Sequence, residues 1–112
     1  MPAYMFLLHN DPSWYKQLSP EEMQTATEKY IAWSKNPFVK DSKRLAGDAG
    51  RVIRPNGGQP RAVDGPYSET KEVLGGYYTI EAATYDEAIE RALTLPHLDY
   101  GGSIEVRHVF GT

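Results

Sequence analysis

Apolar positions along the chain fall into three patterns, each predicting a different element. Residues 3–9 are apolar on both sides, with Tyr4, Phe6 and Leu8 alternating with Met5, Leu7 and His9. That pattern predicts a central strand covered on both faces. Asn10, Asp11 and Pro12 end the run. Helical spacing takes over at Met23, Ala26, Thr27, Tyr30, Ile31 and Ser34, with Trp33 beside the stripe. Ser19-Pro20-Glu21-Glu22 starts this helix: Ser19 caps, Pro20 fits the first helical position, and Glu22 closes a capping box. Pro37 limits it, because proline cannot donate the next backbone hydrogen bond. Phe38 to Arg44 is basic and poorly patterned, which leaves a second short helix or a loop.

Strand patterns return in the second half. Arg51 to Arg54 and Arg61 to Val63 read as two short strands around Pro55-Asn56-Gly57-Gly58, where Asn-Gly suits a hairpin turn. Gly75-Gly76 opens a strand from Tyr77 to Ala82. Tyr78, Ile80 and Ala82 share one face of it, and Tyr77, Thr79 and Glu81 the other. Thr84-Tyr85-Asp86-Glu87 is a second capping box, followed by the stripe Ala88, Ile89, Ala92, Leu93 and a stop at Pro96. The last strand spans Ser103 to Phe110, with Ile104, Val106, His108 and Phe110 opposite Glu105, Arg107 and Val109.

The order strand, helix, hairpin, strand, helix, strand predicts an α+β fold of the ferredoxin-like βαββαβ kind. Its antiparallel sheet would carry two helices on one face. Yet the first strand is apolar on both faces. A second copy of the same sheet is the simplest cover, since two-fold dimers are the commonest oligomers. The alternative is a mixed, solvated second face.

Composition narrows the function classes. The 112 residues suit a single domain, 1–112, and 40% hydrophobic against 24% charged residues fits a globular chain. A net charge of −3 argues against direct nucleic-acid binding, which needs a basic face. The chain has no cysteine, so disulfides and thiolate metal sites are excluded. The longest apolar run, Tyr4 to Leu8, is too short to span a membrane, and no signal segment is recognisable; a cytoplasmic address is the default expectation. Eight tyrosines and two tryptophans must find a core, a pocket or an interface.

The most distinctive stretch is Asp64-Gly65-Pro66-Tyr67-Ser68-Glu69-Thr70-Lys71. By residue type it is a stiff turn with a polar tail. Extended through Glu-Val-Leu-Gly-Gly-Tyr78, it resembles the signature of the DGPF proteins within the YCII-related family, with Tyr67 in place of the usual Phe. Leu18-Ser-Pro-Glu-Glu-Met23, Tyr85-Asp-Glu-Ala88 and Tyr100-Gly-Gly-Ser-Ile-Glu-Val-Arg107 are similar to family segments, whereas 36–59 matches least. His108 stands where members commonly carry Pro. The resemblance implies the ferredoxin-like fold and the dimeric α/β-barrel superfamily, in which two sheets enclose a cleft. It implies no defined reaction. Relatives occur beside or fused to sigma factors, so an accessory role in transcription regulation is a further reading. YCII relatives carry a candidate catalytic His–Asp pair; no histidine of this chain is matched to it.

Candidate chemistry follows from which side chains would face that cleft. Glu105 and Arg107, with Tyr77, Thr79 and Glu81 on the neighbouring strand, point away from the expected helices. Arg107 suits an anion clamp and Tyr77 a donor or stacking surface. Alternatively, Glu105 and Arg107 are structural charge. Asp64 at the rim suits a general base and Lys71 a stabiliser of negative charge, with Tyr67 beside them, although Lys71 also reads as merely solvated. His9 is the histidine best placed for acid–base work, since imidazoles titrate near neutral pH. His9, His97 and His108 have no metal-ligand spacing, and no Gly-rich nucleotide motif occurs, so no metal or cofactor is expected. Two functions remain: small-molecule binding in an intersubunit cleft of a homodimer, or a cofactor-free enzyme (isomerase, lyase or monooxygenase-like) using Asp64, His9 and Arg107.

Overall fold

A computed structural model describes residues 1–67 and 72–112. Strand β1 (Ala3–Asn10) is followed by α1 (Pro20–Ser34), β2 (Val39–Arg44), β3 (Arg51–Arg54), β4 (Arg61–Asp64), β5 (Val73–Glu81), α2 (Tyr85–Ala92) and β6 (Ser103–His108). The main sheet has the order β2-β5-β1-β6, and each neighbouring pair is antiparallel. Each helix therefore links two strands separated by one other: α1 joins β1 to β2, and α2 joins β5 to β6. This is the ferredoxin-like α+β fold.

The helix starts form as their sequences require. Ser19 Oγ accepts from the Glu22 backbone N–H, and Glu22 Oε1 accepts from the Ser19 N–H in return. Thr84 Oγ1 accepts from Glu87 N–H at 3.1 Å. The core lies between the helices and one sheet face, where Tyr4, Phe6 and Leu8 of β1 meet Tyr78 and Ile80 of β5. Phe6 and Ile80 are fully buried, each stabilising by roughly 1.5–3 kcal/mol. Trp33 anchors the end of α1 in this core. It packs edge-on against Tyr78 and Phe38, and its Nε1–H donates to Thr94 Oγ1 at 2.9 Å.

The region 38–64 differs from the expectation drawn from the sequence. Phe38 to Arg44 is mostly strand, neither helix nor loop: β2 pairs with β5 at the sheet edge, with a bulge between Val39 and Asp41. The 51–54 and 61–64 strands form a two-stranded sheet of their own outside the main one. Its turn is displaced by one residue, because Gly57 and Gly58, and not Asn56, take the positive φ values of 57° and 91°. Gln59 N–H closes the turn on the Asn56 carbonyl. The last strand ends at His108; Gly111 turns the chain at φ 83° and Phe110 is fully exposed.

Burial along β1 alternates strictly. Tyr4, Phe6, Leu8 and Asn10 are buried under the helices, while Met5, Leu7 and His9 are half-buried on the opposite face. No helix among the described residues covers that second face, and none is long and apolar enough to cross a membrane.

Candidate functional site

The uncovered sheet face carries most of the charged side chains that the strand pattern directs away from the helices. Strand registry sets their rows. Lys43 lies beside Tyr77, Tyr77 beside Leu7, and Leu7 beside Glu105. One row along, Asp41, Thr79, Met5 and Arg107 sit together. Met5 and Leu7 thus make an apolar floor between two polar groups.

On the β6 side, His9 Nε2 lies 3.2 Å from Glu105 Oε1, and Arg107 donates to the other carboxylate oxygen, also at 3.2 Å. The carboxylate only accepts, so His9 Nε2 is the donor. These hydrogen bonds, His9 first and Arg107 second, hold the Glu105 carboxyl below its usual range. On the β2 side, Tyr77 Oη–H donates to Asp41 Oδ2 at 2.9 Å. That bond lowers Asp41 and raises the Tyr77 phenol. All these groups are largely solvated. Exposed pairs of this kind contribute little, so the fold does not depend on them.

A β-bulge between Leu8 and His9 shifts the register with β5, so that His9 faces Leu74. It brings His9 to one wall of a groove of about 640 Å³. Arg51, Pro66, Tyr67 and Glu72 line the same groove. The groove therefore joins the His9 end of the sheet to the Asp-Gly-Pro loop, whose Gly65-Pro66 peptide bond is cis. A Cβ on Gly65 would overlap the Ala49 carbonyl, so only glycine fits there.

Of the residues singled out from sequence, His9, Glu105 and Arg107 are in one hydrogen-bonded chain. Tyr67 shares the groove with His9, and its exposed ring lies under the Arg54 guanidinium at 4.8 Å. Tyr77 shares the open face but is engaged by Asp41. Asp64 stands apart. Its side chain is 90% exposed and pairs with Arg51 Nε at 3.4 Å, and no hydrogen bond or ion pair among the described residues joins it to His9. Lys71 lies outside the described residues.

A second histidine has a role that no spacing in the sequence marks. His97 is buried, with Nε2 2.9 Å from the His9 carbonyl and Nδ1 2.8 Å from Tyr30 Oη. The carbonyl only accepts, so Nε2 is protonated and Nδ1 accepts from the tyrosine. Burial pushes the His97 pKa down, which keeps the ring neutral. A Cβ on Gly102 would overlap the His97 ring. The Gly101-Gly102 pair following His97 was the available clue. His108, in turn, stacks on Tyr4 with centroids 5.0 Å apart beneath α2, away from the open face. Among the described residues, no group of three His, Asp or Glu side chains could hold a metal ion.

Comparison with known proteins agrees with this architecture. The profile of the YCII-related domain matches residues 3–111. An uncharacterised protein of Rhizobium meliloti (strain 1021) is 33% identical, over 93% of this chain and 89% of its own length. The chain belongs to the YCII-related family.

Proposed function

We propose that this YCII-related protein binds a small polar or anionic molecule at the open face of its sheet, with a second copy of the chain covering that face. The observation that carries the reading is the His9–Glu105–Arg107 chain beside half-buried Met5 and Leu7 on a face no helix covers. Apolar strand residues left half-exposed favour a partner surface. Arg107 presents a fixed cation that can clamp a carboxylate or phosphate. Glu105 holds both Arg107 and His9 in place. Tyr77, tied to Asp41, offers its ring as a stacking wall, and Tyr67 closes the groove at the far side.

A thermal-shift screen of small carboxylates and inorganic phosphate tests the binding. A ligand at one hundred times its Kd adds ~2.7 kcal/mol to stability. The wild type should respond to at least one such anion and Arg107→Ala to none. An Arg107→Ala variant that responds as the wild type does would remove Arg107 from the site.

A second reading, a cofactor-free acid–base enzyme, is favoured by one detail. Glu105 holds His9 Nε2 at 3.2 Å, a carboxylate–imidazole arrangement that orients a ring for acid–base work. Asp64, paired with Arg51 on the hairpin, is the other candidate base. Under this reading His9→Gln abolishes turnover of a bound ligand while leaving its affinity within a fewfold range.

A further inference from the structure

A second cavity lies on the opposite side of the sheet, beneath α1. Ala26 and Trp33 are the buried residues of that helix. A space of about 250 Å³ lies along α1, from Met23 to Ser34, between the helix and the sheet. Its floor is Leu8, Gly75 and Tyr78, and its roof includes Met23, Ala26 and Tyr30. An apolar cavity of 150 Å³ holds a benzene ring, so this one has room for roughly ten non-hydrogen atoms.

The walls are not uniform. Tyr78 and Ala26 are apolar surfaces in the interior. Of the polar lining, Thr27 and Ser34 come from α1 and Ser42 and Lys43 from β2, while Asn10, Arg44 and His97 lie at the end of the sheet where β1 finishes. Asn10 is buried there, its side-chain oxygen close against Gly75, where a Cβ would clash. Arg44 lines the same end; it pairs with Gly76, which pairs with Leu8. Strand alternation places Arg44 on the helix side with Ser42, the neighbour of Tyr78. His97 completes this end with both ring nitrogens already engaged, so it contributes ring surface and no charge. A largely apolar chamber with one amide, an exposed guanidinium and Lys43 in its lining fits a flat apolar body carrying one anionic group.

We propose that this cavity is a separate ligand site for a small aromatic carboxylate, with the ring between α1 and Tyr78 and the carboxylate at Arg44 and Asn10. Its lining reaches Lys43 and Tyr77 at the sheet edge, so the titration is read on both faces of the sheet. Titration with phenylacetate, followed by methyl NMR, tests it. Met23, Ala26 and Leu8 methyl groups face the cavity, whereas Met5 and Leu7 face away. Saturable shifts in the first group, with the second unmoved, are expected. Arg44→Gln, an exposed change, should weaken phenylacetate about fivefold and leave neutral phenylacetamide unchanged. Absence of saturable shifts at Met23, Ala26 and Leu8 up to about 10 mM ligand overturns the site. So do shifts confined to Met5 and Leu7, which would support the open-face reading instead. Equal weakening of both ligands overturns the carboxylate assignment.

Discussion

The residue with most structural consequence is His97. One neutral ring joins the 96–100 turn, α1 through Tyr30, and the His9 backbone at the edge of the groove. Gly102 must stay bare for the ring to fit. Gly102→Ala is expected to destabilise by about 2 kcal/mol, the usual range for forced overpacking, measured by urea unfolding. The pH dependence has a definite sign. The folded-state pKa of His97 lies below the ordinary 6.5, so between the two values the unfolded chain binds the extra proton. Stability is complete above 6.5 and falls as pH drops towards the folded value. Glu105 and Asp41 are also depressed, but their contribution is lost only lower, below the ordinary carboxylate values of 4.5 and 3.8. The urea midpoint should therefore fall between about pH 7 and pH 5.5, and His97→Gln should flatten that fall. Sequence alone showed His97 only as a failed metal ligand. Its neutrality comes from burial, and its two ring partners lie 67 and 88 positions away in the chain.

Among elements, those with a strong period were legible and those without were not. Both helices announced themselves by capping boxes; the structure completes the Ser19–Glu22 box, while at α2 Thr84 caps the Glu87 N–H and Glu87 accepts from the Ala83 N–H instead of the Thr84 N–H. Ser19→Ala should destabilise by about 1 kcal/mol, since it leaves the Glu22 N–H without its side-chain acceptor; the same urea assay reads it. Strands β1 and β5 were legible because their buried faces alternate. Strand β2 was not, for a physical reason. Lys40, Asp41, Lys43 and Arg44 leave no apolar period in it, and its strand conformation is imposed by hydrogen bonds from β5. The hairpin of β3 and β4 was legible as a hairpin. That it stays out of the main sheet was not, because β5 gives that edge to β2.

For the whole molecule, the open face is the decisive feature. The apolar alternation in β1 pointed to a face needing cover, and the structure leaves that face without a helix. The proximity of His9, Glu105 and Arg107 was partly legible, as the two acidic and basic residues share one strand face. Their link to His9 was not, since it depends on the antiparallel pairing of β1 with β6 across 96 positions. If two copies meet over Met5 and Leu7, the protein sediments as a dimer at micromolar concentration. Leu7→Glu, which sets a charge opposite Glu105 and into the seam, should convert it to a monomer with its helix content intact, as circular dichroism would show.

The charged edge strand bears on how the protein behaves when crowded. Strand β2 offers a neighbouring chain a row of lysine and arginine side chains and a ladder interrupted by a bulge. Both features discourage sheets from joining side by side. Growth into filaments is opposed along that border, while pairing through the face remains open. Under the proposed face-to-face pairing, such a chain would close into a pair rather than extend side by side.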